Sequence, residues 1–231
     1  MMRLTVSRSN TKLGDTPNFN LPAGHSCPGA LDCLAKANKE TGKLQQKGKF
    51  RCFAASIESL RKNVRTSRNN NFIQLVKLSK DQMVEKITED VIGDLRRREK
   101  LFRIHASGDF FNRNYFQAWV EIARQNQDIV FYAYTKSINY WIECLDSIPD
   151  NLVLTASRGG RYDHLINEYQ LREAVVVKYP SEAQEMGIPI DSDDSLAYDP
   201  KVEKFALLLH GTQAKGSEES KAVFSRRRKK A

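Results

Sequence analysis

The sequence predicts an α/β protein: a partial or complete parallel β/α barrel of about six β/α units, with an N-terminal cysteine-bearing loop segment. Three observations carry this expectation. From residue 79 onward, short apolar strands alternate with helical stretches. The segments "IVFYAY" and "AVVV" are apolar at nearly every position, as strands covered on both faces are. Most strands then run into a polar segment containing Gly or Ser: "HASGDFF", "TKS", "TASRGGR" and "HGTQ". Sites in such folds lie at the C-terminal ends of the strands. A doubly wound open sheet is the alternative, because sequence does not decide closure.

The elements follow in order. "RLTV" (Arg3 to Val6) reads as the first strand. "SKDQ" is a capping box, with Ser79 at the cap and Gln82 three residues on. Val84, Ile87, Val91 and Leu95 then recur at helical spacing. "LFRIHA" is a strand. Asn112 caps a helix with Tyr115, Phe116, Trp119 and Ala123 on one face. "IVFYAY" is the next strand, and Ser137 caps a helix that Pro149 brings to an end. "NLVLTA", a helix around Leu165, Ile166 and Tyr169, "AVVV", a short helix near Glu182 to Met186, and "FALLLH" complete the series. "IDSDDSLAYD" lacks the Gly and terminal Glu of a calcium loop and reads as a solvated connector. Residues 1–216 are expected to form one barrel-like domain with its cysteine loop at 24–53. Residues 217–231 form a C-terminal helix and basic tail.

The chain has 231 residues, enough for a substantial core, with 40% apolar content and a net charge of +9. Five of the basic residues form one run, Arg226 to Lys230, without which the charge is +4. Nucleic acid is therefore a partner only through that tail, and a solvated terminus is the blander reading. No apolar run approaches the ~18 residues of a membrane helix. "MMRLTVSRSN" lacks the apolar core of a signal peptide. The expectation is a cytoplasmic protein that does not enter membranes and keeps its thiols reduced.

Four cysteines are too few for a disulfide scaffold of this size. Three of them, Cys27, Cys33 and Cys52, share the segment between the first strand and the helix that begins near Ser79. Gly24, Pro28 and Gly29 let this backbone turn tightly and expose amides to sulfur. Three thiolates suit an iron–sulfur cluster, either [4Fe-4S] with one open iron or [3Fe-4S]. Zinc is the second reading, with His25 or His105 as fourth ligand. Ordinary core or loop thiols are the third. The spacing C-x5-C-x18-C lacks the short pairs of structural zinc sites, which favours the cluster. Cys144, in "YWIECLDSI", reads as a packing residue.

Strand-end residues converge on one edge of such a sheet. His105, Asp109, Lys136 and His210 are the catalytic candidates, with Ser157 and Gln213 beside them. His105 and Asp109, four apart, suit acid–base work or plain hydrogen bonding. Arg158, Gly159, Gly160 and Arg161 suit a phosphate or carboxylate cradle, or only a turn that needs glycine. An electron-transfer partner and a small anionic molecule are the implied partners.

"FNLPAGHSCPGALDCLAKAN", "RCFAAS", "RIHASGDFFNRNYFQAW", "FYAYTKSINYW", "NLVLTASRGGRYDHLI" and "ALLLHGTQ" together resemble the phage gene product 88 family, virus- and plasmid-encoded proteins of unsettled activity. The resemblance covers roughly residues 18 to 216. It implies a phage or mobile-element origin, a host-cytoplasmic location and a cysteine cluster at Cys27, Cys33 and Cys52. A looser architectural resemblance is to radical S-adenosylmethionine enzymes, which carry three cysteines in a loop after the first strand of a partial barrel. Their compact C-x3-C-x2-C is absent here. The sequence thus points to an iron–sulfur protein with a redox or catalytic role on a small, anionic ligand. The alternative is a non-catalytic zinc- or cluster-stabilised binding protein, nucleic-acid-associated through its tail.

Overall fold

A computed structural model describes residues 2–8 and 12–228. Its centre is a seven-stranded sheet ordered β1 (Val6–Ser7), β2 (Asn18–Phe19), β5 (Leu101–Arg103), β6 (Val130–Thr135), β7 (Leu152–Ser157), β8 (Glu173–Val177) and β9 (Lys204–Leu208). Strands β2 and β5 to β9 are parallel, and only β1 runs antiparallel, at the edge beside β2. One expectation is corrected here: the first parallel strand is Asn18–Phe19, not Arg3 to Val6. Of the two forms expected, a partial or a complete barrel, the complete one is not found: among the described residues, edge strands β1 and β9 do not pair with each other. Strand order follows the chain without a reversal, which removes the switch point of a doubly wound sheet.

Side chains alternate between the two sheet faces, as the pleat requires. Phe102, Phe131, Ala133, Leu152 and Leu154 join the main core under α3 (Lys80–Ile87), α4 (Arg113–Gln125), α5 (Ile138–Ile142) and α6 (Asp163–Glu168). Tyr132, Val153, Ala174 and Phe205 point the other way, onto α8 (Ser195–Tyr198). Helix α4 buries Tyr115, Phe116, Trp119, Ile122 and Ala123 as one stripe, and Trp119 stacks on Phe102 at 5.8 Å. A truncation such as Trp119→Ala costs about 3–5 kcal/mol in a core like this.

Both strong caps stand where the sequence puts them. Ser79 and Gln82 form the full capping box, and the Asn112 side chain accepts from the Tyr115 amide at 2.8 Å. Ser137 does not cap α5. Its hydroxyl donates to the Phe110 carbonyl at 2.8 Å, tying two strand-end loops together.

The segment before residue 79 holds more structure than its sequence shows. A hairpin of β3 (Ala35–Ala37) and β4 (Leu44–Gln46) lies between Cys33 and Cys52. Helices α1 (Phe53–Leu60) and α2 (Lys62–Leu75) follow. Helix α2 buries Arg65, Asn69, Asn71 and Leu75, so its inward face is mostly polar and carries no apolar period.

The expected connector over 191–199 is also corrected. Asp191 and Asp194 are buried, and the segment covers one sheet face instead of meeting solvent. Tyr132 donates to Asp194 at 3.3 Å and Tyr134 to Asp191 at 3.2 Å. Arg103 and Lys12 form ion pairs with Asp194, and the Arg103 guanidinium lies 4.9 Å from the Tyr134 ring centroid. Helix α7 (Pro180–Glu185) packs near the β8–β9 edge, and α9 (Glu218–Arg228) closes the described chain. Of the basic run, Lys229 and Lys230 lie outside the described residues. Arg226 is engaged with the body, donating to the Leu209 and Ala222 carbonyls.

Candidate functional site

Strand β2 delivers the chain to the C-terminal edge of the parallel sheet, and from Asn20 the chain leads into the cysteine segment. It is laid along that edge, and the strand-end loops of β5, β6, β7 and β9 hold it one after another. Beyond β5, the Ala106 and Ser107 amides donate to Asn20 Oδ1 at 3.1 and 2.9 Å. The Leu21 amide donates to the Ser107 carbonyl at 2.9 Å. Beyond β6, a Cβ on Gly29 would fall 2.0 Å from the Lys136 carbonyl oxygen, so only glycine seats here. Beyond β7, Asp32 donates to the Gly159 carbonyl and Arg161 to the Gly29 carbonyl, each at 2.9 Å, around an antiparallel bridge between Ala30 and Gly160. Beyond β9, the Gln213 side chain accepts from the Arg51 amide at 2.9 Å and donates to the Arg51 carbonyl at 3.0 Å. Strand-end segments that read as the lining of a mouth thus act first as clamps on the thiol loop.

These clamps bring Cys27, Cys33 and Cys52 into one electrostatic neighbourhood. Cys27 interacts with both others, and Cys52 with Cys33. All three are half-buried free thiols. The Gly24 amide donates to Cys27 Sγ at 3.3 Å. Cys52 occupies the N-cap of α1, and its sulfur lies beside the Ala54 and Ala55 amides of the first turn. Burial pushes all three thiols up, Cys52 to about 11, with the Asp109 carboxylate adding to the rise at Cys27. The Lys136 ammonium opposes burial at Cys33. Thiols raised in this way are held in the protonated form at neutral pH.

Lys136 is the buried cation of this neighbourhood. Its Nζ donates to the Ser157 carbonyl at 2.6 Å, to Ser157 Oγ at 3.0 Å and to the Arg158 carbonyl. Asp109 is held by the Thr135 hydroxyl at 2.6 Å, the Phe110 amide at 2.7 Å and the Lys136 amide at 2.8 Å. Burial raises its carboxyl to about 6 against those three donors. Cys27, Cys33, Asp109 and Lys136 therefore form one interacting group.

The remaining candidates go elsewhere. His105 does not join Asp109. It is buried against Phe110 and Tyr115, with Nε2 3.0 Å from the Tyr115 hydroxyl, and burial lowers its pKa to about 3. His25 places Nε2 2.8 Å from the Ala37 carbonyl oxygen. His210 is exposed and packs its ring 4.4 Å from that of Phe53, the residue after Cys52. Arg158 pairs with Glu173 and Asn167. The Gly159 and Gly160 amides donate to the Asp163 carboxylate at 2.8 and 2.9 Å, so the anion of that cradle is a side chain of the chain itself. The Arg161 side chain is exposed. Cys144 is buried under α4 and α5, away from the other thiols. Asn20 and Glu58 were missed. Glu58 accepts from the Ala23 amide at 3.0 Å, from Arg68 at 2.9 Å and from the Ser107 hydroxyl at 3.2 Å, and so braces the thiol loop from below. No local spacing marks either residue, because the loop groups they hold, Ala23 for Glu58 and Ala106 and Ser107 for Asn20, are 35 to 87 residues distant.

Among the described residues, no group of three or more His, Cys, Asp or Glu side chains stands at the spacing that holds a metal ion. No helix among them is long and apolar enough to cross a membrane.

The family model described as "Gene product 88" matches residues 4–229. A "Gene 88 protein" of Mycobacterium phage L5 is 32% identical over 152 residues, 63% of this chain and 58% of the relative. A "Gene 88 protein" of Mycobacterium phage D29 is 31% identical over 134 residues, 55% of this chain and 50% of the relative. The matches thus span between half and three-fifths of the length of these curated relatives. No solved structure matches the chain.

Proposed function

The chain belongs to the Gene product 88 family, and from the geometry of its three clamped thiols we propose that it is an iron–sulfur protein. Cys27, Cys33 and Cys52 would hold the cluster, with no protein thiolate on the fourth iron. The observation that carries this reading is the convergence of four strand-end loops on one cysteine segment. A segment clamped at Asn20, Gly29, Asp32 and Arg51 is fixed for a purpose beyond connecting β2 to α1. The chemistry of the donor set suits the group. Two of the three soft sulfurs, Cys27 and Cys52, face backbone amides at Gly24 and at the start of α1, and such amides stabilise cluster sulfurs. The spacing C-x5-C-x18-C lacks the short ligand pairs of structural zinc sites, which favours the cluster over zinc.

The role we assign is redox or catalytic, on a small anionic molecule that the Lys136 ammonium would draw to the thiol site. When bound, the cluster would supply electrons or a Lewis-acidic iron. The Lys136 ammonium, buried and held by carbonyl oxygens, would favour negative charge next to Cys33. The sequential strand order supports a partial barrel, which would leave this edge as its mouth.

The test is anaerobic purification of the full chain followed by iron, sulfide and zinc analysis. A brown protein with iron and sulfide together supports the reading. A colourless protein with one zinc per chain, or a metal-free protein after iron and sulfide reconstitution, overturns it.

A further inference from the structure

The β3–β4 hairpin is the one part of the cysteine segment that the thiol site leaves unused, and its chemistry is distinct. Residues 36–51 hold six basic side chains and a single acidic one, Glu40. In the ladder Ala37 pairs with Leu44 and Lys36 with Gln45. Ala35 and Leu44 turn inward onto Ala23, Ala54 and Ala55, and Ala37 is buried. Strand alternation therefore puts Lys36 and Gln45 on the outward face. Lys43 and Lys47 flank β4, both exposed.

The ribbon is rigidly mounted. The buried Arg65 guanidinium donates to the carbonyls of Lys39 at 3.1 Å, Glu40 at 3.2 Å and Glu58 at 2.7 Å, pinning the turn to α1. Gly42, at φ +74°, sits against that guanidinium, where a Cβ would fall 2.7 Å from Nη1. The Asn38 side chain accepts from the Glu40 and Thr41 amides at 3.0 and 2.8 Å, closing the turn. Of the lysines, Lys49 pairs with Asp32 at 3.1 Å and Lys39 lies over the Phe72 ring at 5.7 Å. Among the described residues, Lys36, Lys43 and Lys47 make no ion pair. An open cleft of about 360 Å³ on this hairpin is lined by His25, Lys36, Asn38, Lys39, Glu40 and Gln45.

We propose that the outer face of the β3–β4 hairpin binds the phosphate backbone of nucleic acid. Rigid two-stranded ribbons of this kind enter or track nucleic-acid grooves. Uncommitted lysines on flexible stems suit phosphates as point charges, and Asn and Gln amides add hydrogen bonds. An acidic protein fits this face less well, because protein interfaces need a desolvated core and deplete lysine from it. The proposal stands apart from the metal reading, since no hairpin lysine is a thiol ligand.

The test uses the full chain, a fluorescently labelled mixed-sequence duplex and its single strand, titrated between ~50 and ~200 mM salt. The triple variant Lys36→Gln, Lys43→Gln, Lys47→Gln should lose tenfold or more in affinity. Its salt slope should fall by roughly 2–3, one charge per phosphate lost. The matching Lys→Arg triple should bind as the parent does. If the Gln triple unfolds early, the three single substitutions are titrated instead, and each should lower the slope by about 1. Unchanged affinity and slope would overturn the proposal, as would binding that only deletion of residues 226–230 removes. Equal hairpin-dependent binding to polyglutamate or to anionic lipid vesicles would overturn it as well, since the face would then read charge alone.

Discussion

Gly29 lies flat against the carbonyl oxygen of Lys136, so close that a methyl group has no room: an added Cβ would sit 2.0 Å from that oxygen. This contact couples the thiol loop to the end of β6. Gly29→Ala must push the loop off the sheet edge, breaking the Arg161–Gly29 hydrogen bond and moving Cys27 and Cys33. The variant should keep its far-UV circular dichroism and lose most of its iron, although every cysteine remains. Full iron occupancy in Gly29→Ala would show that the clamp does not position the ligands.

Cys27→Ala, Cys33→Ala and Cys52→Ala should each abolish the metal centre after anaerobic reconstitution. Cys144→Ala should retain it and cost about 1 kcal/mol or more in urea unfolding, the price of a small cavity in the main core. Iron per chain decides the ligand set. A full cluster in any of the first three variants would remove that residue from it.

His105 should make the metal-free protein acid-sensitive. Burial lowers its pKa to about 3, below the ordinary 6.5. The folded state then refuses a proton that the unfolded chain accepts, so stability is complete above pH 6.5 and falls as pH drops toward 3. At pH ~4.5 the loss is roughly 2–3 kcal/mol. His105→Gln, which can still bond the Tyr115 hydroxyl, should flatten urea-derived stability between pH ~6.5 and ~4.5 relative to the parent. Parallel pH profiles for the two proteins would contradict the buried neutral imidazole.

Asp194→Asn should destabilise the fold without disturbing its backbone. Asp194 has φ +68°, a conformation asparagine also adopts. The substitution removes only the charge that Arg103 and Lys12 face. Leaving a mostly buried guanidinium without its carboxylate costs about 3–5 kcal/mol. Chemical denaturation measures it, and a loss below ~1 kcal/mol would mean that water repays the pair.

The sequence determined what depends on near neighbours. The Ser79 capping box, the Asn112 cap, the apolar stripe of α4 and the doubly covered strand β6 are local patterns, and the structure keeps them. The mostly parallel α/β sheet and the family were legible for the same reason. Tertiary structure decided what depends on distant partners. Helix α2 was invisible because its inward face is Arg65, Asn69 and Asn71: Arg65 and Asn71 are satisfied by backbone carbonyls of other segments, and Asn69 by the Arg65 carbonyl one turn back. The 191–199 segment looked solvated because four acidic side chains among nine residues usually are, yet Arg103, Tyr132 and Tyr134 on the sheet give two of them partners. The strand-end residues are sorted by their partners: Lys136 and Asp109 toward the thiols, His105 into the aromatic core, Arg158 onto Glu173. A side chain's chemistry is fixed by its sequence identity, whereas its burial and its counter-charge are fixed by whichever segment folds against it.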